Sequence, residues 1–249
     1  MNTHNLAAIA VLFAASVSTA NAHEAYDVTQ SQTVTNPAIH RGLEPGDLVV
    51  RSLNDTPWGY TVQNGVERFE VRSGDCGADP YHSDCATGRE RSEVAVKKPI
   101  RGRFSISYEM RLDPSYTSVS PAQVYLGQLK TRKGIGNPPL FEISEYNGVV
   151  RSMGTVLFEV DSDWHSFHIQ GDLATGEFRM TVDDSVVVET TLRIGDSYDH
   201  LRFKYGLYRN RISSYKRQQA GSNRYSEYAD IQLPTQIVYY RNMNFRIDQ

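Results

Sequence analysis

The stretch RFKYGLYRN, Arg202–Asn210, alternates like a β-strand but has an unusual pair of faces. Phe203, Tyr205 and Leu207 fall on one side, and Arg202, Lys204, Gly206, Tyr208 and Asn210 on the other. A solvated face normally mixes acids with bases. This one carries cations, a phenol and a glycine without an acid, a composition suited to an anionic ligand. Lys204 and Tyr208 lie four residues apart, about 13 Å along a strand, and face the same way. A cation beside a phenol lowers its pKa towards phenolate, the form that takes up protons. Gly206 between them would let a ligand approach the backbone.

Two other stretches repeat the theme. In RERSEV, Arg89, Arg91 and Glu93 share one side, while Ser92, Val94 and Val96 take the other. In QVYLGQLK, Gln128 and Lys130 share a side, with Tyr125, Gly127 and Leu129 opposite. Guanidinium, ammonium and amide groups are the donors that offset a carboxylate charge and stabilise an enolate-like intermediate next to it. Arg91 and Glu93 alone would read equally well as a row of cross-strand ion pairs.

These residues need strands to hold them, and the chain supplies little else. Short alternating runs such as RFSISYEMRL, LFEISEY, WHSFHIQGD and TQIVYYRNMNFRI are punctuated by Gly, Pro, Asn and Asp. FRMTVDDSVVVE reads as a hairpin turning at Asp183-Asp184. There is no amphipathic helix of 12 or more residues, no repeat and no linker. The expected fold is all-β, a single β-jelly roll over residues 47–249 with a concave outer groove and at most short helices.

The 26 Lys and Arg are outnumbered by 29 Asp and Glu, for a net charge of −3. Fifteen of the basic residues nevertheless fall in residues 89–103, 202–217 and the short LKTRKG stretch, which holds Lys130, Arg132 and Lys133. Brought together, they would form a positive groove on an acidic protein.

Residues 1–22 contain an apolar run of signal-peptide length that ends in Ala20-Asn21-Ala22, a small-x-small cleavage pattern, although no Lys or Arg precedes the run. Residues 23–46 are a polar lead-in. No later segment is long and apolar enough to span a bilayer. The protein is therefore expected to be secreted or periplasmic, and Cys76 and Cys85 to form a disulfide in that oxidising space. Two cysteines without a histidine pair at helical spacing are too few for a zinc site. Nucleotide-binding loops, Ser-His-Asp arrangements and nucleic-acid motifs are missing. Glu159, Asp161 and Asp163, in FEVDSDW, are the nearest approach to a glycosidase carboxylate pair, which would need about 5 Å separation on one face.

The stretch RFEVRSGDCGADPYHSDCATGRERSEV, followed far downstream by KYGLYRN, resembles β-jelly-roll polysaccharide lyases typified by heparin lyase I and glucuronan lyase. RERSEV is also similar to the Arg-Ser-Glu strand of jelly-roll alginate lyases, GQLK falls where those enzymes carry Gln-x-His, and KYGLY where they carry Lys-x-Gly-x-Tyr. The resemblance runs from about Asp47 to the C-terminal YYRNMNF. It implies β-elimination on a uronic-acid polysaccharide, with Arg91, Gln128, Lys130, Lys204 and Tyr208 catalytic. Arg89, Glu93, Arg202, Asn210, Tyr125 and His82 would bind the substrate. Lys130 departs from the pattern, standing where a histidine is expected, so the base is Tyr208, Lys130 or another histidine such as His82. His165 and His168 lie on opposite faces of one strand. Some relatives use calcium, for which Asp75, Asp79 and Asp84 are the candidates, but their spacing matches no calcium loop and no cofactor is expected. The implied protein is a monomer whose partner is an anionic polysaccharide, with no nucleic-acid or membrane partner. A lectin that binds acidic glycans without cleaving them is the alternative.

Overall fold

The structure, a computed structural model, describes residues 39–44, 46–50, 56–79, 82–131, 139–194 and 201–248. The expected signal segment, most of the lead-in, Arg132 and Lys133 lie outside the described residues, as do the side chains of His82 and Asp79. In chain order the strands begin β1 (His40–Arg41), β2 (Leu48–Val50), β3 (Tyr60–Gln63), β4 (Val66–Val71), β5 (Ala78–Asp79) and β6 (His82–Ser83). They continue as β7 (Glu90–Val96), β8 (Arg103–Leu112), β9 (Gln123–Thr131), β10 (Phe141–Tyr146), β11 (Val149–Ser152) and β12 (Thr155–Glu159). The last are β13 (His165–Asp172), β14 (Glu177–Val182), β15 (Ser185–Thr191), β16 (Leu201–Asn210) and β17 (Gln236–Ile247). Two short helices, α1 (Ile212–Ala220) and α2 (Tyr225–Tyr228), join β16 to β17.

The long strands form two antiparallel sheets. One has seven strands in the order β12-β11-β10-β9-β16-β7-β2; the other has eight, ordered β15-β14-β13-β8-β17-β4-β3 with β1 added in parallel to β17. This is the jelly-roll sandwich expected from the alternating runs. The period of two explains it: in β8, Phe104, Ile106, Tyr108, Met110 and Leu112 are buried while Ser105, Ser107, Glu109 and Arg111 face outward. Asn64-Gly65, Asn147-Gly148, Met153-Gly154 and Asp183-Asp184 all have positive φ, the geometry of two-residue hairpin turns whose twist matches the strands they join. The core between the sheets is aromatic, with Phe69 set edge-on to Tyr205 and Tyr240 at 5.6 and 5.4 Å.

The end of the lead-in belongs to this core. Ile39, His40 and Leu43 are buried, and His40 Nε2 lies 3.0 Å from the Glu67 carboxylate. Glu67 also accepts hydrogen bonds from Tyr60 and Tyr205, which gives a fully buried acid the partners it needs. Cys76 and Cys85 are disulfide-bonded, with Cα atoms 5.0 Å apart.

The basic stretch 202–217 is not one strand. It breaks after Asn210: Arg211 takes a left-handed conformation and α1 follows, with Ile212 and Tyr215 packed on the core. The cations of this stretch therefore scatter. Lys216 reaches the Ala229 carbonyl, and Arg209 turns inward, fully buried, to bond Glu90 and the carbonyls of Val71 and Pro234.

Candidate active site

Three central strands of the seven-stranded sheet, β7, β16 and β9, place the site on its outer face. Phe203, Tyr205 and Leu207 of β16 are in the core, so Arg202, Lys204 and Tyr208 point away from it, as the alternation requires. Across the sheet Tyr208 stands opposite Arg91 on one side and Tyr125 on the other. Lys204 stands opposite Gln128, Arg202 opposite Lys130, and Asn210 opposite Gln123.

Tyr125 is the exception to simple alternation. A strict period of two sets it opposite Gln128, on the core side. In the structure its ring stacks on Tyr208 with centroids 5.3 Å apart, on the same outer face as Gln128. A β-bulge is responsible: Ile143 pairs with Gly127 and Ser144 with Tyr125, which leaves Leu126 as an extra residue and flips the phase of β9. On the other side Gly206 and Leu207 together oppose Leu126. The backbone groups freed by the bulge are met from the opposite sheet, where the Tyr240 hydroxyl donates to the Leu126 carbonyl at 2.6 Å and accepts from the Gly206 N–H at 3.4 Å. Gly206 has φ +123°, and a Cβ there would lie 2.5 Å from the Ser92 carbonyl oxygen and 2.8 Å from Phe69. The glycine serves this close packing towards the core, not a ligand's approach to the groove.

Glu93 is the hub of the polar cluster. It is 2% exposed, accepts from Gln128 Nε2 at 2.6 Å and Arg91 Nη1 at 3.1 Å, and lies 3.7 Å from the Lys204 ammonium. Gln128, Arg91 and Lys204 thus converge on one carboxylate. Arg91 carries a second: Asp84, from the disulfide loop, takes Nε and Nη2 in a bidentate pair at 2.5 and 2.6 Å. Burial works against the Arg91 charge, but Glu93 and Asp84 more than reverse this and hold the guanidinium above its ordinary pKa. Its flat face lies over the Tyr208 ring, 4.4 Å from the centroid.

Tyr208 is not a resting phenolate. Burial pushes its hydroxyl up to about 12, although Arg91 and Arg89 pull the other way. Of the cations around it, these two arginines pull hardest. Lys204 faces Glu93 instead, and Arg209 is committed to Glu90 inside the fold. Beyond Tyr125, Gln123 accepts from the Tyr125 hydroxyl at 3.2 Å and donates to Glu142 and Ser144 at 2.9 and 3.1 Å. Burial raises the Glu142 pKa, opposed by the Gln123 amide. Among the described residues of this face, Arg89, Arg91, Lys130, Arg202 and Lys204 outnumber Asp84, Glu93 and Glu142, although the stretches 89–103 and 202–217 contribute only part of their charge.

Asp84, Gln123, Glu142 and Ser144 were not among the residues expected here. Gln123 shares the parity of Tyr125, which is a signal for it in the sequence; Asp84 shows there only as a calcium candidate, and its role as the Arg91 anchor comes from the folded loop. The histidines lie elsewhere among the described side chains. His165 sits between Asp183 at 2.6 Å and Asp161 at 3.0 Å and stacks on Phe158, and His168 bonds Ser105 on the other sheet. Asp161 is thereby engaged with His165, and Glu159, Asp161 and Asp163 do not share a strand face: Glu159 ends β12 and the two aspartates lie in the turn before β13. Asp75 accepts from the Trp58 indole and the Arg72 N–H, and among the described residues no group of three or more His, Cys, Asp or Glu could hold a metal ion.

At the level of sequence no family model and no curated relative matches the chain. Solved structures do match in shape. An alginate lyase, AlgAT5, from polysaccharide lyase family 7 superposes with a TM-score of 0.54 at 11% identity, covering 79% of this chain and 85% of that one. A family 7 alginate lyase variant in complex with its product gives 0.53 at 12% identity, covering 78% and 85%. A sialidase gives 0.54 at 10% identity over 82% of this chain, but only 17% of its own. The alginate lyases match over most of both chains, and they do not single out heparin lyase I or glucuronan lyase. At these identities what is shared is the fold, a jelly-roll sandwich of the kind family 7 alginate lyases adopt.

Proposed function

We propose that the chain is a polysaccharide lyase that cleaves a uronic-acid-containing anionic polysaccharide by β-elimination on the outer face of the seven-stranded sheet. The observation that carries this reading is the arrangement around Tyr208. Its phenol lies under the Arg91 guanidinium and beside Tyr125, with Lys204 four residues away on the same strand and Gln128 on the next, among more cations than acids. The fold shared with family 7 alginate lyases supports it.

In this mechanism Lys130 and Lys204 offset the charge of the uronate carboxylate and the Gln128 amide donates to it, which makes the C5 proton acidic. Tyr208, as phenolate, takes that proton, and the C5–H electron pair moves into the carboxylate as an enolate. The enolate collapses to a C4=C5 double bond as the C4–O4 bond breaks. The Tyr208 hydroxyl then returns the proton to O4, regenerating the phenolate. One residue on one face performs both transfers. Arg91, held by Asp84 and Glu93, lies over the phenol and stabilises its anionic form. Lys130 supplies a charge where the alginate lyase pattern has histidine. An exported, disulfide-bonded enzyme fits this role, since Cys76 and Cys85 are joined.

The test is a panel of acidic polysaccharides (alginate, glucuronan, heparin-like chains), read by the ultraviolet absorbance of the unsaturated uronate. Absorbance growth on at least one polymer is expected. Tight binding to a polymer with no absorbance change would make the protein a lectin instead.

A further inference from the structure

The cross-strand row that holds Tyr208 continues beyond Tyr125. Tyr208 faces Arg91 on β7 and Tyr125 on β9, Tyr125 faces Ser144 on β10, and Ser144 faces Arg151 on β11. Directly opposed residues of antiparallel neighbours share a sheet face. Val150 and Ser152, on either side of Arg151, are both buried, so the arginine projects from the same outer face as Tyr208. Three strand spacings separate the two residues, roughly 14 Å at about 4.8 Å per spacing.

Arg151 differs from the other described arginine of this row. Arg91 is saturated by two carboxylates. Arg151 makes no hydrogen bond or ion pair among the described residues; its guanidinium carbon lies 5.6 Å from the Tyr146 ring centroid, and its Nε is buried without a partner. Leaving a buried donor unsatisfied typically costs about 1–3 kcal/mol. A planar fork of donors at the end of a row of stacked tyrosines and a serine matches a carboxylate arriving from outside.

We propose that Arg151 is the anion contact of a distal subsite. It binds the carboxylate of a uronate unit in the same polymer whose scissile unit lies at Tyr208. This inference rests on the proposed lyase reading and deepens it: the substrate crosses the strands along the row, and chain length matters because a short oligomer cannot span from Tyr208 to Arg151. The guanidinium then improves binding of long substrates and leaves the chemical step alone, so its loss appears in KM more than in kcat.

The experiment compares the parent, Arg151→Gln and Arg151→Lys on an oligomer ladder from dimer to hexamer, prepared from whichever of alginate, glucuronan and heparin-like chains the parent cleaves or, failing cleavage of all three, binds best. Turnover is read by ultraviolet absorbance and affinity by calorimetry. Arg151→Gln is expected to cut the preference for hexamer over the shortest cleaved oligomer about tenfold, through KM, with Arg151→Lys in between because it keeps the charge and loses the fork. An unchanged hexamer preference in Arg151→Gln, or an equal loss on every length, overturns the subsite. Binding separates this from the lyase reading. A parent that binds hexamer without cleaving it refutes the lyase, and the subsite is then decided by whether Arg151→Gln loses the hexamer-over-dimer affinity. A parent that binds no hexamer overturns both.

Discussion

On the outer face of the eight-stranded sheet, Ser105, Ser107, His168, Gln170 and Asn244 line a shallow depression, and the ion pairs there, Arg103–Asp172 and Arg241–Glu109, are local and solvated. On the outer face of the seven-stranded sheet the same alternation brings up Arg91, Glu93, Gln128 and Tyr208, and there the polar groups are sunk: Glu93 is 2% exposed and Gln128 4%. Both faces follow the same strand grammar. They differ in what each polar group touches. His168 and Gln170 remain exposed, whereas each member of the second cluster is fixed by another member. A face that buries charge must satisfy it from within, and such an arrangement holds donors and acids in fixed geometry for a ligand.

Substitutions matched across the two faces sharpen this contrast. The largest effect is expected for Glu93→Gln, which leaves Lys204 and Arg91 short of a buried counter-charge and should destabilise the protein by about 3–5 kcal/mol. Glu109→Gln, its counterpart on the solvated face, should cost less than about 1 kcal/mol. Denaturant midpoints measure both, and equal costs would erase the distinction between the faces.

Asp84→Asn comes next. It removes the bidentate anchor of Arg91, and the resulting shift of the guanidinium over Tyr208 should lower kcat by about 100-fold. Asp172→Asn, which breaks the exposed Arg103 pair, should leave kcat within twofold, about 0.4 kcal/mol, of the parent. Tyr240→Phe probes the support beneath the site. The Leu126 carbonyl would lose its donor, for a stability loss of about 1–3 kcal/mol in thermal or denaturant unfolding.

The smallest effect per step is a pH dependence. Tyr208 is raised to about 12, so it is a neutral phenol below that value. The phenolate that accepts the C5 proton then grows about tenfold per pH unit across the alkaline range. The logarithm of kcat/KM should rise with unit slope for as long as the fold survives. A plateau near neutrality would assign the base to another group, with Lys130 the first candidate.

Much of this was legible in the sequence, and the failures are local. The inward set Phe203, Tyr205 and Leu207 decided the orientation of β16 correctly, because a one-residue slip would expose three large apolar side chains. Ten residues of alternating β8 and the Asp183-Asp184 turn were readable for the same reason. Tyr125 departs from the face that alternation predicts because the bulge at Leu126 leaves no mark in the pattern and is braced by Tyr240, 114 residues away along the chain. Arg209 falls by alternation on the inward side with Phe203, Tyr205 and Leu207, but nothing local announces the buried Glu90 that receives it. The expected activation of Tyr208 by Lys204 failed on energetics: the ammonium is drawn to Glu93, and burial of the phenol outweighs the arginines. Asp84 was visible as a residue but not as an anchor, since its partner is set by how the disulfide loop folds back on β7.

The central claim, that the seven-stranded face performs proton transfer through Tyr208, is tested most directly by initial-rate absorbance on the polymer the parent cleaves best. Parent, Tyr208→Phe and His168→Ala should be run side by side. The account predicts that Tyr208→Phe keeps its fold and its polymer affinity while losing nearly all turnover, at least about 1,000-fold. His168→Ala, on the opposite face, should turn over like the parent. Parent-like turnover by Tyr208→Phe, or loss of turnover in His168→Ala with its fold intact, would contradict it.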